Sequence, residues 1–169
     1  MRSNIITILI GPIASGKSTL CKKWARDGKI IINDDSIVNA MHAGIYGLYK
    51  EECKPLYKSI ENHILCMSIG MGLDVVIDRP CHTKASRMRY TMLAKSLDTK
   101  VMAILTKREA PEVHANRRSK YNDRGHGHDY WLKVAEAHEA LWEPPTLDEG
   151  FEWILEDTRP EVWYASQRS

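Results

Sequence analysis

Residues 4–18 read Asn4-Ile-Ile-Thr-Ile-Leu-Ile10-Gly11-Pro-Ile-Ala-Ser-Gly16-Lys17-Ser18, and the two halves of this stretch decide the fold. The first half is rich in β-branched residues and mostly apolar on both faces, the pattern of a central parallel strand covered from both sides. The second half fits G-x-x-x-x-G-K-[ST] at every fixed position. Each fixed residue has a physical task. The glycines let the backbone curl so that successive amides point inward at phosphate oxygens. A helix beginning near Gly16 adds unpaired amides and the positive end of its dipole. Lys17 is suited to neutralise β- and γ-phosphates, and the Ser18 hydroxyl to bind Mg²⁺. The whole loop (Gly11, Pro12, Ile13, Ala14, Ser15, Gly16, Lys17 and Ser18) is therefore expected to cradle a nucleotide's phosphates. Thr19 can reach a more distal oxygen, and Lys17 is expected to face solvent.

Working outward, Lys17 to Arg26 continues with helical spacing, and Lys29-Ile-Ile-Ile32 reads as a second buried strand. Asn33, Asp34, Asp35 and Ser36 are helix-capping residues, so a helix is expected from about Ser36 to Met41. The spacing of Leu56, Ile60, Ile64 and Met67 predicts a long helix over Tyr49–Met71 with Pro55 in an early turn. Strands are expected at Asp74–Asp78, Lys100–Leu105 and Gly150–Leu155. Helices are expected at Thr83–Leu97, Ala110 to about Lys120 and Asp129–Trp142. Strands alternating with helices imply a parallel sheet between two helical layers. The fold class expected is thus α/β, a three-layer sandwich around a five-stranded, mainly parallel sheet, with residues 1–169 as one domain. The tail 157–169 is polar with scattered aromatics and has no assigned element.

Composition sets limits. The chain has 169 residues, 43% apolar and 27% charged, enough for one well-buried core. Its net charge of +2 does not by itself announce a nucleic-acid binder, although a local basic patch would suffice. No stretch is long enough to span a bilayer, no signal peptide is read, and a cytoplasmic protein without membrane partners is expected. Cys21, Cys53, Cys66 and Cys81 form no C-x-x-C pair and no zinc pattern, so reduced thiols are expected.

The remaining candidates sit where strands end. In an open parallel sheet, the carboxyl ends of the strands border the ligand crevice. At least one of Asp34 and Asp35 is placed there to take a proton from an acceptor hydroxyl, or both simply cap the next helix. Asp78 ends the third strand, where it can orient Mg²⁺ through water or hold an acceptor. Arg117, Arg118 and Arg124 flank a polar loop, and a lid over about 117–128 that closes on the transferring group fits them. Arg87 and Lys84 can line an anionic groove or a solvated helix face. His126 and His128 lack a third metal ligand and read as loop residues. Trp24, Trp131, Trp142 and Trp153 sit in apolar patterns that favour core packing over base stacking.

The loop, the strand-end Asp34-Asp35 pair, the Asp78–Arg87 stretch and Pro145-Thr-Leu-Asp-Glu-Gly-Phe151 together resemble the phage polynucleotide kinase domain. They are similar also to its wider kin, the zeta-toxin-like and short AAA-type P-loop kinases, over Ile5 to about Leu155. The resemblance implies a kinase-type P-loop fold, Mg²⁺-ATP as donor and a hydroxyl as acceptor. It implies Asp34 as general base, with Lys17, Arg117 and Arg118 completing the catalytic set. Ser18 and Asp34 are the implied metal-side residues, Arg124 a nucleotide contact, and Asp35, Asp78, Arg79 and Arg87 the acceptor side. The acceptor implied is a nucleic acid, at a 5′-hydroxyl end or a hydroxymethylated pyrimidine; a nucleoside, nucleotide or sugar is the alternative. A non-catalytic ATP-binding module is the third reading. The sequence departs from that family at Asn33 and Ile37, where arginines are usual, and at Arg79-Pro-Cys-His82.

Overall fold

In a computed structural model that describes residues 4–121 and 124–157, five strands form one sheet. The chain runs β1 (Ile5–Ile10), α1 (Lys17–Arg26), β2 (Ile30–Ile32), α2 (Asp34–Met41), α3 (Lys54–Gly70) and β3 (Val75–Asp78). It continues with α4 (Lys84–Ser96), β4 (Lys100–Leu105), α5 (Pro111–Ser119), α6 (His128–Ala140) and β5 (Trp153–Glu156). The strand order is β2-β3-β1-β4-β5, and every neighbouring pair is parallel. The sheet is therefore wholly parallel rather than mainly so.

Period-two alternation along β1 assigns the two layers. Ile6, Ile8 and Ile10 point to one face, where they meet Tyr57, Leu65 and Ile69 of α3 and Tyr90 and Ala94 of α4. Leu9 points to the other face with Val76, Met102 and Ile104, covered by Leu20, Cys21 and Trp24 of α1. Ile6, Ile8, Leu9 and Ile10 have no solvent exposure. Each such side chain contributes about 1.5–3 kcal/mol on burial, which holds β1 as the central strand. Helices α5 and α6 pack on each other beside the phosphate loop.

Several boundaries differ from the sequence reading, for local reasons. The long helix begins at Lys54, not Tyr49, because Pro55 belongs in a first turn where its missing N–H has no partner to lose. Residues before it form two 3₁₀ turns, Tyr46–Leu48 and Glu51–Cys53. The last strand begins at Trp153 because Gly150 ends a 3₁₀ turn in the left-handed region, at φ 98°. Helix α2 begins at Asp34 because Asn33 is its cap, accepting from Ser36 N at 3.1 Å. Among the described residues no helix is long and apolar enough to cross a membrane. The tail beyond 157 lies outside the described residues.

Candidate phosphate-binding site

The carboxyl ends of β1 and β3, the start of α1 and the α5–α6 segment surround a cleft of about 850 Å³. Its floor is the loop that follows β1. Two backbone bonds fix where the loop leaves the sheet: Gly11 N donates to Pro80 O at 3.2 Å, and Thr106 N to Ile10 O at 2.9 Å. Gly11 is required by contact, since a Cβ there would lie 1.9 Å from Thr106 Oγ1. Gly16 is required by conformation, at φ 97° in the left-handed region, where it turns the chain into α1. The Ser15 and Thr106 hydroxyls share a 2.6 Å hydrogen bond that ties the loop to β4.

Lys17 does not face solvent as expected; it is 8% exposed. Its Nζ donates to Gly11 O at 2.7 Å, Pro12 O at 2.5 Å and more weakly to Ser15 Oγ at 3.4 Å. A buried ammonium needs acceptors, and the curled loop turns its carbonyls toward it. Burial still lowers the Lys17 pKa to about 8, against the opposing pull of Asp78.

Asp78 is buried at the end of β3. Its Oδ2 accepts from Ser18 Oγ at 3.2 Å and from Asn33 Nδ2 at 3.3 Å. A hydroxyl and a carboxylate so paired are the hard oxygen donors that Mg²⁺ takes. This places Asp78, rather than Asp34, beside Ser18.

The two aspartates after β2 are free of capping duty, since Asn33 caps α2. Asp35 lines the cleft and pairs with Arg124, whose guanidinium lies 4.3 Å over the Tyr46 ring. Asp34 does not line that cleft; it pairs with Arg79. Burial raises the Asp34 pKa, and the neighbouring Arg79 charge opposes the rise. Arg117 and Arg118 line the opposite wall, Arg117 paired with Glu109 and Arg118 stacked 4.3 Å over the Trp131 ring.

Arg79 and Arg87 lie outside the cleft. Arg79 bridges Asp34 to Glu61, at 3.2 Å. Arg87 has no solvent exposure and no surface to offer an acceptor. It donates twice to Glu149, both at 2.8 Å, and to the carbonyls of Cys81, His82 and Glu143. Its task is to fasten α4 to the segment 143–149, because a fork of five donors suits a cluster of converging carbonyls.

Other residues entered the site unannounced. Lys22 and Lys120 line the cleft, so six basic side chains face two acidic ones, Asp35 and Asp78, among the described residues. Lys22 was detectable, because it stands four residues after Ser18 on one helix face. Trp131 is buried, yet it lines the cleft, which apolar periodicity alone does not distinguish from core. Trp24 is core, whereas Trp153 is 38% exposed with Lys100 over its ring. His126 stacks on Tyr130, with centroids 3.9 Å apart.

Residues 6–145 match the family model of an AAA domain, AAA_33, which covers well over half of the chain. The chain belongs to this AAA domain family. No curated protein matches the sequence. Among solved structures, this AAA domain is similar to a candidate kinase of Chloroflexus aurantiacus, with 16% identity and TM-score 0.70, covering 99% of this chain and 97% of that one. It is similar to the Mycobacterium tuberculosis APS kinase CysC solved with AMPPNP and APS, with 11% identity and TM-score 0.60 over 100% of both chains. A fungal RNA kinase matches with 16% identity and TM-score 0.62, over 92% of this chain but only 38% of its own. At these identities the likeness is one of fold: a P-loop α/β domain shared with kinases.

Proposed function

We propose that this AAA domain is an ATP-dependent kinase that transfers the γ-phosphoryl group to a hydroxyl of a nucleic acid. The observation that carries the reading is the cleft itself, where Lys17, the Ser18–Asp78 pair, Asp35, Arg117, Arg118 and Arg124 line one cavity over the loop. A surplus of cations fits a polyanionic donor, and the acidic groups fit a metal and an acceptor.

Each residue then has a role. The loop amides and Lys17 hold the phosphates of ATP, and Lys22 adds charge behind them. Ser18 and Asp78 would hold Mg²⁺, which would supply positive charge to the transferring phosphoryl group. Arg117, Arg118 and Arg124 approach from the lid side. The acceptor oxygen bonds to the γ-phosphorus as the bond to the β–γ bridging oxygen breaks. ADP leaves with that electron pair, and the acceptor proton passes to Asp34. The Asp34 carboxylate is 43% exposed, open to an incoming hydroxyl, and its raised pKa suits a base. Asp35, paired to Arg124, borders the acceptor.

The likeness to a fungal RNA kinase and the basic cleft favour a nucleic-acid acceptor. A small metabolite is the second reading, favoured by the end-to-end match to an APS kinase. The test is Mg²⁺ with γ-labelled ATP against 5′-hydroxyl DNA, 5′-hydroxyl RNA, hydroxymethylated duplex and a nucleoside and sugar panel. Label in a polynucleotide supports the proposal. Label confined to a small molecule replaces it with the second reading, and label in none of them leaves a nucleotide-binding module.

A further inference from the structure

Behind the Asp34 carboxylate lies a charge network that the cleft itself does not need. Arg79 donates to Glu61 Oε2 and to Tyr90 Oη, each at 3.2 Å, while its other nitrogen pairs with Asp34. Glu61, on α3, is 1% exposed, and Arg89 of α4 lies 3.0 Å from it. Arg89 is itself fixed by Asn62 Oδ1 at 2.7 Å, and Tyr90 Oη donates to the second Glu61 oxygen. Two guanidinium groups and two carboxylates therefore alternate as Arg89, Glu61, Arg79 and Asp34, with Glu61 buried between the two arginines and Asp34 at the exposed end. Glu61 takes a large share of a buried position that an aliphatic side chain would fill more cheaply.

We infer that Glu61 is a positioning residue: through Arg79 it fixes the Asp34 carboxylate and shares the Arg79 charge that Asp34 would otherwise hold alone. The inference rests on Asp34 being the base. The reason for such a device is chemical. A carboxylate paired to one undivided guanidinium is a poor proton acceptor, because the pair favours its charged form. Dividing Arg79 between Asp34 and Glu61 keeps the geometric hold while weakening that penalty. The charged groups that face Asp34 are Arg79 from the β3 end, Glu61 from α3, Arg89 from α4 and Asp35 on its own helix. Burial and the two acids raise the Asp34 pKa, and the two arginines lower it.

The arrangement gives two changes of opposite sign, which a purely structural network does not. Glu61→Gln leaves both guanidinium charges undivided, so Asp34 should become harder to protonate. Arg79→Gln removes the nearest cation, so Asp34 should become easier to protonate. The measurement is carboxyl-¹³C NMR of aspartate-labelled protein across pH, with the Asp34 signal assigned by its loss in Asp34→Asn. It needs no acceptor. The expected result is titration moved to lower pH in Glu61→Gln and to higher pH in Arg79→Gln. An Asp34 titration that is unmoved in both, or moved the same way, overturns the inference. If Glu61→Gln melts below the working temperature, Arg79→Gln carries the test, since its side chain is 28% exposed and its loss opens no deep cavity; an unmoved titration there overturns the inference equally. Label transfer by the Asp34→Asn protein, run across the acceptor panel, separates the two claims. Undiminished transfer overturns the base and this inference together, whereas lost transfer beside unmoved titrations overturns this inference alone.

Discussion

Replacing Arg87 with methionine should damage the fold and leave nucleotide binding in the surviving folded protein unchanged. Arg87 has no exposure, and its fork donates two 2.8 Å bonds to Glu149, which is itself 5% exposed. Breaking a buried pair by removing one partner costs about 3–5 kcal/mol, because the other charge stays buried without compensation. The freed carbonyls of Cys81, His82 and Glu143 add to this unless water reaches them. For a chain of this size, that cost corresponds to a fall in Tm of roughly 6–20 °C. Glu149→Leu alone should cost a similar amount, and the double variant less than the sum, since neither charge is then stranded. The assay is thermal and denaturant unfolding of the three variants, with ATP binding measured below each midpoint. An Arg87→Met protein as stable as wild type but with weakened acceptor binding would return Arg87 to the acceptor side.

Other perturbations have equally definite outcomes. Lys17 is lowered to about 8 from 10.5, so between these values the unfolded chain holds the extra proton and stability should rise with pH. On the proposed reading the charged Lys17 holds the phosphates of ATP, so ATP affinity should fall over the same window, by up to about tenfold per pH unit, as calorimetry across pH would record. If Ser18 and Asp78 hold Mg²⁺ as proposed, Ser18→Ala should raise the Mg²⁺ needed for half-maximal turnover while metal-free ATP binding stays within about twofold, because one metal-side oxygen is lost. Gly11→Ala should destabilise by about 1–3 kcal/mol through its clash with Thr106 Oγ1, and Thr106→Ala in that background should recover part of it in a melt. Asp34→Asn should still bind ATP by calorimetry while transfer drops at least ~10²-fold, with normal turnover pointing to a different base.

The phosphate loop and the sheet were legible in the sequence because they depend on local rules. Ile5–Ile10 alternates its side chains between two apolar layers, and the loop's glycines answer to backbone geometry within a few residues. The placement of Asp78 against Ser18 was half-legible: strand-end position put it at the crevice, but only the β1–β3 pairing brings it beside the loop. Arg87 was not legible. A basic residue on a helix looks solvated until the segment 143–149 folds back across 62 positions of sequence to supply its partner. The same holds for Glu61, which helical spacing places on the buried face without saying that two arginines await it. Lys17 misled in another way, since its charge suggested exposure while the loop that it serves wraps around it.

Phosphoryl transfer from this cleft to a polynucleotide can be read by incubating the AAA domain with Mg²⁺ and γ-labelled ATP beside 5′-hydroxyl DNA and RNA, with Lys17→Ala as control. The expected result is label at a polynucleotide hydroxyl that is lost with Lys17→Ala. Tight ATP binding with no label in any polynucleotide would contradict it.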